Sequence, residues 1–244
     1  MAAANGLKQL DIPFNFNGNP RVIYPTLIWD EDNVILVDAG FPGQLPLFRE
    51  AIEKLGLSFQ SLNKIIVTHQ DIDHIGGLAE IIYAVGQNVD VLAHELEKPY
   101  IEGDDVFVKN PQKCAVQSGT QPKLAFPPFA RTKVTRLVSD GEELPFSGGI
   151  TVIYTPGHTL GHICLYHKRS KTLITGDALN VEGGRLTGPN PLYTHDLIRA
   201  TESLKKLSQY DIQTVICYHG GVYANDANRH ISAIANAGLS QKMV

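Results

Sequence analysis

Residues 68–77 read Thr-His-Gln-Asp-Ile-Asp-His-Ile-Gly-Gly, and this stretch is the strongest indication of fold in the chain. It places two His and two Asp within six positions, directly after the largely apolar residues 64–67, which have the composition of a short β-strand. Beyond it, apolar residues recur at helical spacing, at Leu78, Ile81, Ile82 and Val85. The sequence therefore predicts a strand, a polar loop and a helix, in that order.

The polar loop offers imidazole and carboxylate groups, which are ligands that zinc, iron and manganese bind in proteins. A loop at a strand end can turn alternate side chains toward two neighbouring ions. The alternative is a polar turn without a metal, in which Asp73 only caps the following helix. The loop taken alone favours a metal site and leaves this alternative open.

Three more His or Asp residues stand shortly after apolar, strand-like runs elsewhere in the sequence. They are His158, Asp177 and His219. Because the ends of strands are where the sites of sheet proteins collect, we expect these side chains to meet the polar loop in the folded chain. Their presence strengthens the prediction of a metal site.

Strand and helix patterns alternate along the chain. Runs with strand composition lie at residues 22–29, 34–37, 64–67, 89–93, 134–138, 150–154, 163–167, 173–175 and 214–217. Helical patterns lie at residues 46–55, 77–85, 95–101, 196–207 and 225–237. Each half mixes a hairpin with alternating strands and helices, which predicts an α/β fold of two packed sheets with helices outside. No linker separates the halves, so we expect residues 1–244 to form a single domain.

The composition argues against several classes of protein. Of the 244 residues, 43% are hydrophobic and 19% are charged, which is typical of globular domains. The net charge of -4 and the absence of a long Lys/Arg cluster argue against a nucleic-acid surface. No stretch has the roughly 18 apolar residues of a membrane span, and the first ten residues lack the pattern of a signal peptide. We therefore expect a cytoplasmic protein with a small-molecule substrate and neither a nucleic-acid nor a membrane partner.

The cysteines give no sign of redox chemistry. Cys114, Cys164 and Cys217 are an odd number without Cys-x-x-Cys spacing, and two of them lie in apolar, strand-like runs. We expect reduced, buried and unreactive thiols.

The order of these motifs, together with Val-Asp-Ala-Gly at residues 37–40, resembles the metallo-β-lactamase superfamily over nearly the whole chain. That family has a His-x-His-x-Asp-His motif, followed by a later His, a bridging Asp and a final His. The resemblance implies an αββα sandwich, in which two central mixed sheets are flanked by helices. It also implies a cofactor of two divalent metal ions, zinc first, with iron or manganese as alternatives.

Carried over to this sequence, the resemblance implies that two imidazoles hold one metal, a carboxylate and two imidazoles hold the other, and one carboxylate bridges both. The first metal would be held by His69 and His158, and the second by Asp73, His74 and His219. The bridging carboxylate would be Asp177. The chain departs from the family at Asp71, where a second imidazole is usual. An Asp71 that ligates makes the first site richer in oxygen and favours iron or manganese more. An Asp71 that points away leaves that site weak or empty.

Further candidates have weaker support. The resemblance implies that Asp38 orients the ligands, although a turn cap is an equal alternative. His162 is predicted to be a structural or ligand-orienting imidazole rather than a ligand. Tyr193 is predicted either to donate a hydrogen bond to a substrate oxygen or to pack under the proline-rich loop. Residues 106–129 are predicted to form either an apolar lid or a contact with a partner subunit of a homodimer.

The resemblance implies a hydrolase that uses metal-activated hydroxide on a small ester, lactone, thioester or amide, without an organic cofactor. Asp73 would also relay the proton to the leaving group as the catalytic residue. A lactone is favoured slightly, because of the aromatic residues 107, 126 and 129 and Tyr193. The alternative is an iron-dependent oxidoreductase such as a sulfur dioxygenase. A binding module without catalysis is disfavoured, because every ligand position still carries His or Asp.

Overall fold

The computed structural model describes residues 5–86, 88–105 and 129–240, with the side chains of 238–240 left out. The prediction of a lid therefore falls almost wholly outside the described residues, as does Cys114. Within the described ranges, none of the helices combines the length and apolar character needed to cross a bilayer.

Two six-stranded sheets form the centre of the molecule. The first has the order β1-β4-β5-β6-β7-β8. Its strands are β1 (Gly6–Gln9), β4 (Thr26–Trp29), β5 (Val34–Val37), β6 (Lys64–Ile66), β7 (Asp90–His94) and β8 (Arg136–Val138). Strands β1, β4 and β5 are antiparallel neighbours, whereas β5, β6, β7 and β8 are parallel. This sheet is therefore mixed.

The second sheet has the order β16-β15-β12-β11-β10-β9. Its strands are β9 (Glu143–Leu144), β10 (Ile150–Tyr154), β11 (Ile163–His167), β12 (Thr172–Ile174), β15 (Thr214–Cys217) and β16 (Gly221–Tyr223). Strands β12 and β15 are parallel, and the other pairs are antiparallel. Two hairpins stand apart: β2 (Ile12–Phe16) with β3 (Asn19–Ile23), and β13 (Asn180–Glu182) with β14 (Arg185–Thr187).

Helices cover the outer faces of both sheets. Among the described residues they are α1 (Leu45–Lys54), α2 (Ile72–Ile75), α3 (Leu78–Val85), α4 (Lys98–Glu102), α5 (Leu197–Leu207) and α6 (Ala227–Ser240), and Phe59–Ser61 form a 3₁₀ turn. Side chains of α1 and α3, such as Phe48 and Ile81, share a core with the first sheet. Side chains of α5 and α6, such as Leu204 and Ile231, share a core with the second.

Strand β5 shows how the layers arise from the sequence. All four of its residues are buried, since Val34 and Leu36 face the helices while Ile35 and Val37 face the second sheet. A strand buried on both faces requires a continuous apolar run rather than alternation. The predicted fold class, two mixed sheets with helices outside, is confirmed.

Each predicted strand and helix overlaps an observed element, with one clear difference in the first hairpin. Residues 22–29 were expected to form one strand, but β3 ends at Ile23 and β4 begins at Thr26. Pro25 lies between them, and proline has no backbone N–H to donate to a ladder. The chain changes sheets at this point.

The topology brings the polar motifs to one edge. Strands β5 and β6 are parallel, as are β12 and β15, so within each sheet the segments that follow them leave at the same edge. Two backbone hydrogen bonds join the sheets there, from Ile163 N to Thr68 O at 3.1 Å and from Tyr24 N to Tyr218 O at 2.9 Å.

Candidate metal centre

Seven His and Asp side chains meet at this edge in two adjacent groups. The first group is His69, Asp71, His158 and Asp177, and the second is Asp73, His74 and His219. Within each group the ligand atoms lie within 4.8 Å of one another, which is close enough for one metal ion. These are the seven residues that the sequence predicted as ligands.

In the first group the Asp71 carboxylate points inward. Its Oδ2 lies 3.4 Å from His69 Nε2 and 3.2 Å from His158 Nε2. Of the two orientations considered for Asp71, the structure has the one in which the carboxylate points into the group rather than away from it. The site offers oxygen as well as nitrogen to a metal.

Asp177 lies between the two groups. Its Oδ2 is 3.3 Å from His158 Nε2 and 3.4 Å from His219 Nε2, and its Oδ1 is 3.2 Å from His74 Nε2. One carboxylate thus faces imidazoles of both groups, which is the geometry of a bridging ligand. In the second group Asp73 Oδ2 lies 3.3 Å from His219 Nε2.

Three atoms of these groups are buried without a hydrogen-bond partner among the described residues. They are His69 Nε2, His74 Nε2 and Asp177 Oδ1. A buried polar atom left unpaired costs about 1–3 kcal/mol, so three of them at one place indicate a missing partner. Imidazole nitrogen and carboxylate oxygen are the donors that a divalent cation accepts, so the residues fit a metal centre.

The charges of the two groups favour cations. Burial opposes charge on the rings, yet Asp38, Asp73 and Asp177 raise the pKa of His74 well above its usual value. Burial also lowers the pKa of His219, but Asp177 and Asp73 outweigh it and raise that pKa to about 10. The carboxylates therefore attract positive charge strongly, and protons compete with metal ions for these rings.

His69 behaves differently from His74. Burial, together with the nearby His74 and His158, lowers the pKa of His69 well below its usual value. The ring is neutral near pH 7, and a neutral imidazole is the form that binds a metal.

Three of the imidazoles are held with Nε2 directed at the cluster. Thr68 Oγ1 donates to Asp38 Oδ2 at 2.8 Å, so it accepts from the Nδ1–H of His69 at 3.0 Å. Thr194 Oγ1 donates to the Asn190 carbonyl, so it accepts from the Nδ1–H of His158 at 3.2 Å. The third imidazole, His74, is held by Asp38. In each case Nδ1 carries a proton, so Nε2 is the nitrogen that faces the cluster and binds a metal when it is unprotonated.

Asp38 stands where an orienting carboxylate is expected. It follows β5 with a positive φ of 65°, and its Oδ1 accepts from Thr68 N at 2.8 Å. Its Oδ2 lies 2.9 Å from His74 Nδ1, which fixes that ring. Asp38 therefore both caps the backbone at Thr68 and orients the ring of His74.

His162 lies behind the cluster. Its Nε2 accepts from the backbone N–H of Asp177 at 3.1 Å, so its Nδ1 carries the proton and donates to Thr155 Oγ1 at 2.9 Å. With both ring nitrogens engaged, His162 supports the Asp177 backbone, as expected of an orienting imidazole.

Tyr193 lies on the surface, and its side chain is 55% exposed. Its neighbour Thr194, which the sequence analysis did not single out, is the residue that contacts a ligand of the first group. Four exposed apolar or aromatic residues lie near Thr194 in the chain, and we call them the apolar rim: Leu192, Tyr193, Leu197 and Ile198.

Tyr218 is a second residue that the sequence analysis missed. Its ring packs on His74 with the ring centroids 3.8 Å apart, and its hydroxyl donates to the Asp73 carbonyl. Burial and the carboxylates of Asp73, Asp38 and Asp177 raise the pKa of Tyr218 well above its usual value, so it stays a neutral donor. Its position directly before the predicted ligand His219 is the sequence feature that could have identified Tyr218 as part of the site.

The described cysteines agree with the expectation of inert thiols. Cys164 and Cys217 are free and buried. Burial raises the pKa of each to about 12, so neither forms a thiolate nucleophile near neutral pH.

Comparison with known proteins is consistent with this geometry. The family model of the metallo-beta-lactamase superfamily matches residues 18–219. A probable metallo-hydrolase of Bacillus subtilis (strain 168), YflN, is 33% identical over 236 residues, which cover 89% of this chain and 85% of the relative. A hydroxyacylglutathione hydrolase of Idiomarina loihiensis is 30% identical over 200 residues, which cover 80% of this chain and 60% of that relative.

Solved structures share the fold. A metallo-beta-lactamase family protein from Thermus thermophilus superposes with a TM-score of 0.74 at 24% identity, covering 97% of this chain and 80% of that chain. An archaeal metallo-beta-lactamase superfamily protein from Sulfolobus tokodaii superposes with a TM-score of 0.69 at 23% identity. The superposition covers 99% of this chain and 89% of that chain. The chain therefore belongs to the metallo-β-lactamase superfamily and is a metal-binding hydrolase of that family.

Proposed function

We propose that this hydrolase cleaves the acyl bond of a small ester, lactone, thioester or amide with two divalent metal ions, zinc first among the candidates. The observation that carries the proposal is the pair of ligand groups joined by Asp177, which faces imidazoles of both. Divalent ions held there would lower the pKa of a bound water molecule and polarise the scissile carbonyl.

The chain's own residues have separate tasks in this scheme. The four imidazoles would hold the ions together with Asp71, Asp73 and Asp177. Asp38 and Thr194 keep the rings of His74 and His158 in position. Asp73 is the catalytic residue in this proposal, since its Oδ2 lies 3.3 Å from His219 Nε2 in the second group and 16% of its side chain is exposed. After hydroxide has added to the carbonyl carbon, Asp73 takes the proton of the added hydroxyl and passes it to the leaving group as the acyl bond breaks.

The apolar rim indicates the kind of substrate. Leu192 is 79% exposed and Ile198 is 56% exposed, and both lie near Thr194 in the chain, whose hydroxyl contacts His158. Exposed apolar side chains at the edge of a site are suited to an uncharged acyl group. The relative from Idiomarina loihiensis is named for a thioester substrate, which supports testing thioesters together with lactones.

A second candidate is an iron-dependent oxidoreductase such as a sulfur dioxygenase. Asp71 supports it, since its inward carboxylate enriches the first group in oxygen, which suits iron or manganese more than an all-imidazole set.

The test is a panel of uncharged thioesters, lactones, esters and amides, assayed before and after treatment with a chelator, with oxygen consumption followed in parallel. We expect chelator-sensitive hydrolysis of at least one class, restored by adding metal back, and no oxygen uptake. Oxygen uptake on a persulfide substrate without hydrolysis would favour the second candidate and contradict the first.

A cytoplasmic location, a single domain and the choice between a monomer and a homodimer stay predictions. Light scattering of the purified chain would separate the monomer from the homodimer.

A further inference from the structure

Glu97 is a fully buried carboxylate outside both ligand groups. It lies in the turn between β7 and α4 and has 0% exposed surface. Burying a carboxylate costs free energy unless its oxygens are hydrogen-bonded, so its partners reveal its role.

Both oxygens of Glu97 accept hydrogen bonds, and each oxygen serves a different loop. Oε2 accepts from Gln70 N at 2.8 Å and Gln70 Nε2 at 3.0 Å. Oε1 accepts from Thr159 Oγ1 at 2.7 Å and Gly161 N at 2.6 Å. All four partners are donors, so an ionised carboxylate suits the site without a proton.

The two loops joined by Glu97 carry three of the four members of the first ligand group, His69, Asp71 and His158. Gln70 stands between His69 and Asp71, and Thr159 directly follows His158. The loops come from different sheets, and a metal site needs its ligands held to within about 0.5 Å. Glu97 is therefore placed to set the distance between His158 and the other two ligands.

The approach of the second loop to Glu97 is close. A Cβ at Gly161 would come within 2.8 Å of Glu97 Cγ, so glycine at this position permits the contact. The loops are also joined by Ile163 N and Thr68 O at 3.1 Å, nearer the strands. Because that bond remains without Glu97, we expect variants of Glu97 to fold.

We propose that Glu97 is a positioning residue that aligns the two loops of the first ligand group and thereby sets the metal affinity of that group selectively over the second. This inference rests on the metal centre of the proposed function, not on the identity of the substrate. Residues that orient metal ligands typically change affinity by about 10–100-fold when they are replaced.

The main variant is Glu97→Gln, which keeps the size of the side chain. Its amide nitrogen must face the donors of one loop, so the backbone N–H of that loop, at Gln70 or Gly161, loses its acceptor. We expect the first-site affinity for Co²⁺ to fall by about 10–100-fold and the second-site affinity to stay unchanged. The readout is a titration of chelator-treated protein with Co²⁺, followed by visible absorption, with a competing chelator to resolve two steps.

Glu102→Gln is the matched control. Glu102 is the last residue of α4, which Glu97 precedes, and it also joins two segments: it accepts from Val134 N at 2.8 Å and pairs with Lys133 at 3.1 Å. It contacts neither ligand loop, so this variant should bind Co²⁺ as the wild type does. A milder variant, Thr159→Val, removes one of the four bonds and should weaken the first site by a smaller factor, even if Glu97→Gln folds poorly.

A readout without metal completes the test. Hydrogen exchange of the Gln70 and Gly161 amides should quicken in metal-free Glu97→Gln while the β-strands keep their protection. Equal weakening of both metal steps, or no change in either, would overturn the inference. Wild-type protein that binds two ions but hydrolyses nothing would contradict the proposed function and leave this inference standing, whereas wild-type protein that binds none would overturn both.

Discussion

Buried histidines at the two ends of the sheets differ in what satisfies their rings. At the metal end, His69 and His74 are fully buried, and the Nε2 of each lacks a hydrogen-bond partner among the described residues. At the opposite end, His167 closes β11 and is also buried. Its Nε2 donates to the Ser147 carbonyl at 2.9 Å, and its Nδ1 lies 2.6 Å from Ser170 Oγ.

The difference separates a structural imidazole from a ligand. A histidine that the protein itself satisfies at both nitrogens contributes to stability alone. A histidine held at Nδ1 with a buried, unpaired Nε2 is arranged for a partner that the chain does not supply. Substitutions at the two ends should therefore have opposite consequences for metal affinity and for stability.

The largest effect is expected from His69→Gln. Replacing a residue that orients a ligand typically lowers metal affinity by up to about 100-fold. Because His69→Gln removes a metal ligand itself, we expect a larger loss of metal affinity. Hydrolysis should fall with it. In the metal-free protein it should cost less stability than a substitution of His167, because the Nε2 atom that it removes had no hydrogen bond. Competition titrations and urea unfolding of chelator-treated protein measure the two quantities.

Next in size is Asp38→Asn. Asparagine tolerates the left-handed backbone, but its amide nitrogen cannot accept the bonds that Asp38 accepts from Thr68 and His74. We expect about a 10–100-fold loss of second-site affinity, measured by the same titration. The control is Asp30→Asn, because Asp30 accepts from Ser147 N at 2.7 Å at the far end. Equal losses in both variants would contradict the comparison.

His167→Phe should show the reverse pattern. Loss of both ring partners leaves the buried Ser147 carbonyl without its donor, which costs about 1–3 kcal/mol in the free energy of unfolding. Metal affinity should stay at the wild-type value. A drop in metal affinity larger than the error of the titration would show that the two ends are not independent.

The last prediction concerns how stability depends on pH. Burial opposes a charged ring, but Asp177 and Asp73 raise the pKa of His219 from 6.5 to about 10. In chelator-treated protein the protonated His219 ring therefore contributes to the free energy of unfolding. That contribution is fully present below pH 6.5 and is lost as the pH rises through about 10. The stability difference between wild type and His219→Gln should shrink over that window, as measured by urea unfolding. A constant difference would argue against the carboxylates as the cause.

The sequence predicted the parts of this molecule that local patterns encode. Strands Ile150–Tyr154, Ile163–His167 and Thr214–Cys217 coincide with apolar runs, and all seven proposed ligands converge as expected. The hairpins β2–β3 and β13–β14 were not predicted. Their residues are largely exposed or intermediate, so no core imposes a clear alternation on them.

Residues that act through tertiary contacts could not be found in the same way. Glu97 meets Gln70, 27 positions earlier, and Gly161, 64 positions later. Tyr218 reaches the carbonyl of Asp73 across 145 positions. Such partners depend on how the two sheets are packed, which no window of sequence records.

The metal content of the protein purified without added metal tests the central claim most directly. Elemental analysis of the wild type, with His69→Gln and His167→Phe alongside, should give two ions per chain for wild type and His167→Phe, and fewer for His69→Gln. A wild-type chain without metal, or equal metal in all three proteins, would contradict the account of the unpaired imidazoles as ligands.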